Sequence, residues 1–281
     1  MQPNDNMMGA LVGPGSQPAD FDGGKLEYMK MPAGMTTFSA SHVPEADEAQ
    51  DHPDGMAAAE AILSALKREG PSRIDLSGLA AEDLAFIDQL LGEGEVSVVA
   101  GSHTQAQESV LAGVWRVRGY SEEGVRIADY AEIAAFPTAL LTSAFEGAKG
   151  KLTMPESAGP NIFNAPPLVA EINDHIDGAD ADGADPHVIN LSLLPHTEED
   201  LVFLDKLMGE GELIILSRGY GNCRIRATRT RNCWWVRYYN SQDTLILNSI
   251  EISRIPEVAL AADVDIADSA ERLSEIMETY R

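Results

Sequence analysis

Thirteen residues of this chain are written twice. DLAFIDQLLGEGE (Asp83–Glu95) aligns without a gap on DLVFLDKLMGEGE (Asp200–Glu212), 117 positions further on, with nine of the 13 residues identical. After a two-residue insertion the match resumes at an offset of 119, placing Trp115 on Trp234, Val117 on Val236, Arg118 on Arg237 and Tyr120 on Tyr239. It continues with Ile127 on Ile246, Glu132 on Glu251 and Pro137 on Pro256, and upstream IDLS (Ile74–Ser77) answers INLS (Ile189–Ser192). A match this long marks an internal duplication. Its period, well over a hundred residues, gives two domains and not the short stacked units of a solenoid.

Within each copy the hydrophobic pattern reads as strand, helix and then three strands. In the second copy Thr197 and Asp200 make a capping-box start with Asp in place of Glu, and Leu201, Leu204, Leu207 and Met208 supply the buried stripe. Gly209 stands where the helix ends, and Gly211 allows a sharp turn into ELIILS; Gly92 and Gly94 do the same in the first copy. CRIRATRTRNCWWVRYYNS reads as two strands about a turn near Thr228–Arg231, and DTLILNSIEISRIP as a last strand stopped by Pro256. The fold class is therefore α+β. It comprises two tandem β-α-β-β-β repeats with mainly antiparallel sheets, a C-terminal helix near Asp268–Tyr280 and a disordered N-terminal tail.

Composition sets the boundaries. Residues 1–55 are rich in Gly, Pro, Met, Asp and Ser and hold no sustained apolar period, so they cannot offset the entropy of ordering. One apolar stretch, YMKMPAGMTTF (Tyr28–Phe38), interrupts that tail. The first repeat spans 56–146 and opens on a helix carrying Ala59, Ile62, Leu63 and Leu66. A Pro- and Gly-broken linker covers 147–167, and the second repeat runs over 168–281.

Acidic residues number 45 against 20 basic, a formal net charge of −25. Such a surface repels phosphate backbones and anionic lipid, so neither nucleic acid nor membrane is an expected partner. No apolar run approaches the roughly 18 residues of a membrane span, and the first residues lack the charged and apolar regions of a signal peptide. With only Cys223 and Cys233 there is no disulfide framework, and the expected setting is the cytoplasm.

No catalytic pattern emerges, and the chain is expected not to be an enzyme and to need no cofactor. It has no G-x-S-x-G elbow, no phosphate loop and no G-x-G-x-x-G after a strand. The six histidines form no i, i+4 pair and none neighbours a cysteine. Asp177, Asp180, Asp182 and Asp185 crowd one loop, but the glycine is out of register for a calcium-binding loop and the twelfth-position Glu is missing.

One segment stands apart. Between Ser217 and Gln242 lie six arginines and no acidic residue, interleaved with Tyr220, Trp234, Trp235, Tyr238 and Tyr239. Two readings stay open: Arg224, Arg226, Arg237, Trp234, Trp235 and Tyr239 form a partner-binding surface, or the arginines pair with the chain's own carboxylates. Cys223 and Cys233 lie symmetrically about Thr228, so a hairpin turning there brings them together as a dithiol or half a metal site. Against this, the first copy has no cysteine at the matching positions, and two small buried thiols are the plainer reading.

Several of these stretches resemble one known family. LGEGEVS (Leu91–Ser97), QESVLAGVWRVR (Gln107–Arg118), SRGYGNCRI (Ser217–Ile225), WWVRYYNSQDTLILNSIE (Trp234–Glu251) and IPEVALAA (Ile255–Ala262) are similar to the HupH/HyaF hydrogenase expression proteins, as are MPAGMTTF (Met31–Phe38) and DSAERLSEI (Asp268–Ile276). The resemblance implies an accessory role in maturing uptake nickel–iron hydrogenase, with no catalytic residues to carry over. Its implied partners are the precursor of the iron–sulfur small subunit, held before export, and a thioredoxin-like accessory protein. Homo-oligomerisation is open. Two competing expectations are a redox or iron–sulfur-handling factor using Cys223 and Cys233, and an adaptor that bridges other maturation factors.

Overall fold

The computed structural model describes residues 43–281, apart from Asp182 and Tyr220. The tail through residue 42, with its Tyr28–Phe38 stretch, lies outside the described residues. A short helix α1 (Ala46–Ala49) and a longer α2 (Pro53–Leu66) come first, so ordered chain begins ahead of the expected residue 56. The reason is local: Ala49 is buried, and the Tyr280 hydroxyl donates to Pro44 O at 2.7 Å.

Each half then reads strand, helix, four strands. The first contains β1 (Ser72–Asp75), α3 (Ala81–Leu91), β2 (Val96–Ala100), β3 (Thr104–Glu108), β4 (Val114–Tyr120) and β5 (Arg126–Ile133), followed by α4 (Thr138–Ser143). The second contains α5 (Ala165–Ile176), β6 (His187–Asn190), α6 (Glu198–Met208), β7 (Glu210–Ser217), β8 (Asn222–Thr228), β9 (Cys233–Tyr239) and β10 (Leu245–Ile252), and the chain closes on α7 (Asp263–Thr279). The expected β-α-β-β-β unit is thus one strand short. In the first half the extra strand is β3, TQAQE, whose mostly polar run gives little apolar signal, with Ala106 its one core residue.

All ten strands join one sheet in the order β1-β5-β4-β3-β2-β7-β8-β9-β10-β6, every neighbouring pair antiparallel. The halves meet at β2 and β7, where Val98 lies opposite Ile215, its own counterpart 117 positions on. A local twofold axis therefore runs between these two residues.

One face of the sheet is shared. Val98, Trp115 and Val117 from the first half and Ile215, Ile225, Trp234 and Val236 from the second form a continuous core under α4. The opposite face carries two separate cores. Helices α2, α3 and α7 cover Val114, Ala131 and Ile133, whereas α5 and α6 cover Ile189, Trp235, Ile250 and Ile252.

Segments cross the seam in both directions. After β5, the chain carries Phe145 to within 4.9 Å of the Trp234 ring, and the Lys149 N–H donates to Arg229 O at 2.8 Å. After β10, the Ala261 N–H donates to Ala135 O at 3.0 Å, and α7 packs Leu273 and Met277, with Tyr280 just past its end, into the first half's core. The C-terminal helix, assigned by sequence to the second repeat, thus completes the first. The stretch 147–167, expected as a linker, is also structural, since Leu152 is buried in the second half's core.

Candidate functional site

The repeated stretch is built for helix placement. Asp200, fully buried, accepts the Phe163, Asn164 and Ala165 N–H groups at 2.9, 3.0 and 3.0 Å on one oxygen and the Thr197 N–H at 3.0 Å on the other. It closes the expected capping box of α6 and also caps the start of α5. Burial disfavours its charge, but the Thr197, Ala165 and Asn164 donors outweigh that and hold the carboxyl below the usual range. Asp83, at the matching position, closes no capping box on α3 and serves only the start of α2, accepting the Gly55 N–H at 3.1 Å. The second aspartate of each copy reaches the sheet instead: Asp88 binds Arg118 at 2.7 Å and Arg116 at 3.2 Å, and Asp205 binds Arg226.

The glycines of GEGE end helices and admit close backbone. Gly92 and Gly209 cap α3 and α6 with positive φ of 55° and 73°. A Cβ at Gly94 would strike the Ser109 carbonyl, and one at Gly211 would sit 2.6 Å from that of Ala227. The pair therefore serves strand approach more than the expected sharp turn.

The cationic hairpin differs from the exposed surface considered above. Trp234, Trp235 and Tyr239 are buried, with the Trp234 Nε1–H donating to Ser253 O and the Trp235 Nε1–H to Asn248 Oδ1. Arg226 is buried between Asp205 and Glu210, and Arg224 binds Asp243 at 2.7 Å while lying over the Tyr239 ring. Arg237 stacks over Trp235 at 5.0 Å, and burial lowers its pKa. Arg229 and Arg231 meet Glu212 and Asp177 at 3.2 and 3.5 Å. Four of the six arginines, Arg224, Arg226, Arg229 and Arg231, thus pair with the chain's own carboxylates, as one of the two readings had it. Sequence alternation alone did not reveal that α5 and α6 cover the second face of these strands.

The cysteines are also separated. The hairpin loop is Arg229–Asn232, since Ala227 pairs with Trp234, so Cys223 faces Tyr238 and not Cys233. Five residues of strand, about 17 Å, divide the two levels. Cys223 lies in the shared core and Cys233 in the core beneath α5 and α6, on opposite faces of the sheet. Burial pushes both thiols up to about 12, which keeps them protonated and unreactive at neutral pH. A dithiol, disulfide or shared metal site is therefore corrected to two packing residues.

Two features escaped sequence reading. His175 and His187, from α5 and β6, stack at 3.5 Å between ring centroids, and His187 Nε2 lies 2.8 Å from Glu171 Oε1. Twelve residues of separation hid that pair. A cavity of about 350 Å³ also opens at the seam, lined by Thr104, Ser143, Glu146, Glu212 and Arg229. Of the acidic loop, Asp177 pairs with Lys151 at 3.3 Å, and no cluster of three or more potential metal ligands occurs among the described residues. No helix among the described residues is long and apolar enough to cross a membrane.

Comparison with known proteins places this architecture. The chain matches the family described as "HupH hydrogenase expression protein, C-terminal conserved region" over residues 56–156 and 162–280. The chain belongs to this family. It is 46% identical over 275 residues to the hydrogenase expression/formation protein HupH of Rhodobacter capsulatus, covering 96% of each chain. To the hydrogenase expression/formation protein HoxQ of Cupriavidus necator it is 41% identical, and to the hydrogenase-1 operon protein HyaF of Escherichia coli 35%, each over 95% of both chains. A solved structure, the hydrogenase expression protein HupH from Thiobacillus denitrificans, is 29% identical with a TM-score of 0.38, covering 41% of this chain and 95% of that one.

Proposed function

We propose that this protein is a non-catalytic accessory factor of hydrogenase maturation, which holds the immature small subunit before its export from the cytoplasm. The observation that carries the reading is similarity along nearly the whole chain to proteins named for hydrogenase expression and formation. We read the two halves, with their matching strand order about a seam, as the products of one duplication. The inert, separated thiols favour holding over redox or cluster handling. The buried hairpin is packing, so the client is met elsewhere on the surface.

The test is an affinity capture from a host expressing the hydrogenase operon, under air and under nitrogen. Recovery of the small-subunit precursor, and not of the mature subunit, is the expected result. Recovery of a thioredoxin-like accessory protein alone would replace holding by bridging. Retention of neither would sink the maturation role.

A further inference from the structure

The two ends of the ten-stranded sheet are built alike and finished differently. β1 pairs only with Tyr130–Ile133 of β5, and β6 only with Ser249–Ile252 of β10. Both inner strands run on past their neighbours, with a bulge at the same register, Tyr120 opposite Arg126 and Tyr239 opposite Leu245. Just beyond those pairings the Leu76 N–H donates to Asp129 O and the Asn248 N–H to Ser192 Oγ, and among the described residues no strand lies on the outer side of Arg126–Ala128 or Leu245–Leu247. The turns beside them also correspond: the Ser77 N–H donates to Asp75 Oδ1 and the Ser192 N–H to Asn190 Oδ1, each at 3.0 Å.

The side chains diverge in part: the first edge exposes Val125 and Ile127 on either side of Arg126, whereas the second adds leucines on the turn and the strand. Where the first half has Gly78 and Arg126, the second has Leu193 and Leu245. Leu193 is 80% exposed, Ile246 60%, Leu194 39% and Leu245 37%. The Asn248 N–H donates to Ser192 Oγ at 2.8 Å, which holds this leucine-bearing turn against β10. The first half forms the same edge without either leucine, so the fold does not require them. Proteins normally blunt an open edge with charge and avoid exposed apolar groups beside it.

We propose that the outer edge of β10 at Leu245–Leu247, rimmed by Leu193, Leu194 and Ile246, takes an extended apolar segment of the client polypeptide as an added strand. The edge recognises main chain through hydrogen bonds, and the leucines select apolar side chains at alternate positions. A second copy is the poorer occupant, because two chains of −25 repel each other. The proposal rests on the holding role and names where that role is exercised.

The experiment titrates the purified full chain with unfolded small-subunit precursor and, separately, with short synthetic peptides tiling that precursor. Three forms are compared: the natural sequence, the double variant L193G/L245R that copies the first half, and Ile127→Asp at the opposite end. The expected result is binding of precursor and apolar peptides, weakened about tenfold or more in L193G/L245R and unchanged in Ile127→Asp. Equal binding by all three forms would overturn the edge and leave the holding role intact. Peptide binding that depends on the leucines, without precursor binding, would support the edge and overturn the holding role. Binding of neither overturns both. Self-association of the natural sequence that L193G/L245R abolishes would give the edge to a second copy and overturn the proposal.

Discussion

Single carboxylates carry unequal loads in the two halves. Asp200 satisfies four N–H groups at two helix starts, so Asp200→Ala leaves them unpaired, that of Ala165 in a buried position and the others in partly buried ones. The expected loss is about 3 kcal/mol, with Asp200→Asn losing less because one acceptor oxygen remains; urea unfolding measures both. Glu132 and Glu251 occupy matching positions with opposite surroundings. Thr138 donates to Glu132 through its N–H at 2.8 Å and through its hydroxyl, but the residue matching Thr138 is Glu257. Burial and the Glu257 charge push Glu251 up to about 7. In the unfolded chain a glutamate titrates near 4.3, so between about 4.3 and 7 the native state holds a proton that the unfolded state releases. Stability from this group falls as pH rises across that window and is level above it. Glu257→Thr should therefore stabilise by about 1–2 kcal/mol at pH 8 and change little at pH 4, read from melting curves across pH.

At the scale of elements, removal of α7 would open the first half's core. The helix brings Leu273 and Met277, with Tyr280 just past its end, into the core of α2 and α3, and Ile266 occupies the space over Gly113. A chain ending at residue 262 should expose that core and bind a hydrophobic dye, while Leu273→Ala alone costs about 2–5 kcal/mol in denaturant titration. The helix itself was legible from its stripe of Leu273, Ile276, Met277 and Tyr280; its destination was not, because an apolar face does not say which core it enters. Thr197 and Asp200 announced the start of α6, and Pro256 the end of the last strand. β3 stayed hidden behind polar residues. The hairpin was legible as two strands, yet the turn lies some two residues beyond the symmetric point assumed between Cys223 and Cys233, and that shift separates the thiols. The Leu193 and Leu245 difference is visible in the aligned repeats, but only the register of β10 makes it an edge.

Across the whole molecule, the seam and the crossing segments tie both halves together, so they should unfold as one body. Val98 and Ile215 sit at its axis, fully enclosed. Ile215→Ala should cost about 2–4 kcal/mol and lower the stability of both halves together, so fluorescence of single-tryptophan variants retaining Trp115 or Trp234 should report one shared unfolding midpoint. Separate midpoints would mean that the seam couples the halves weakly. The crossing of α7 also bears on the order of synthesis. The strands of the first half leave the ribosome early, but their core waits for Leu273, Met277 and Tyr280, which follow the whole of the second half's sheet. The half that is made first is therefore closed only after the strands of the second half have been made.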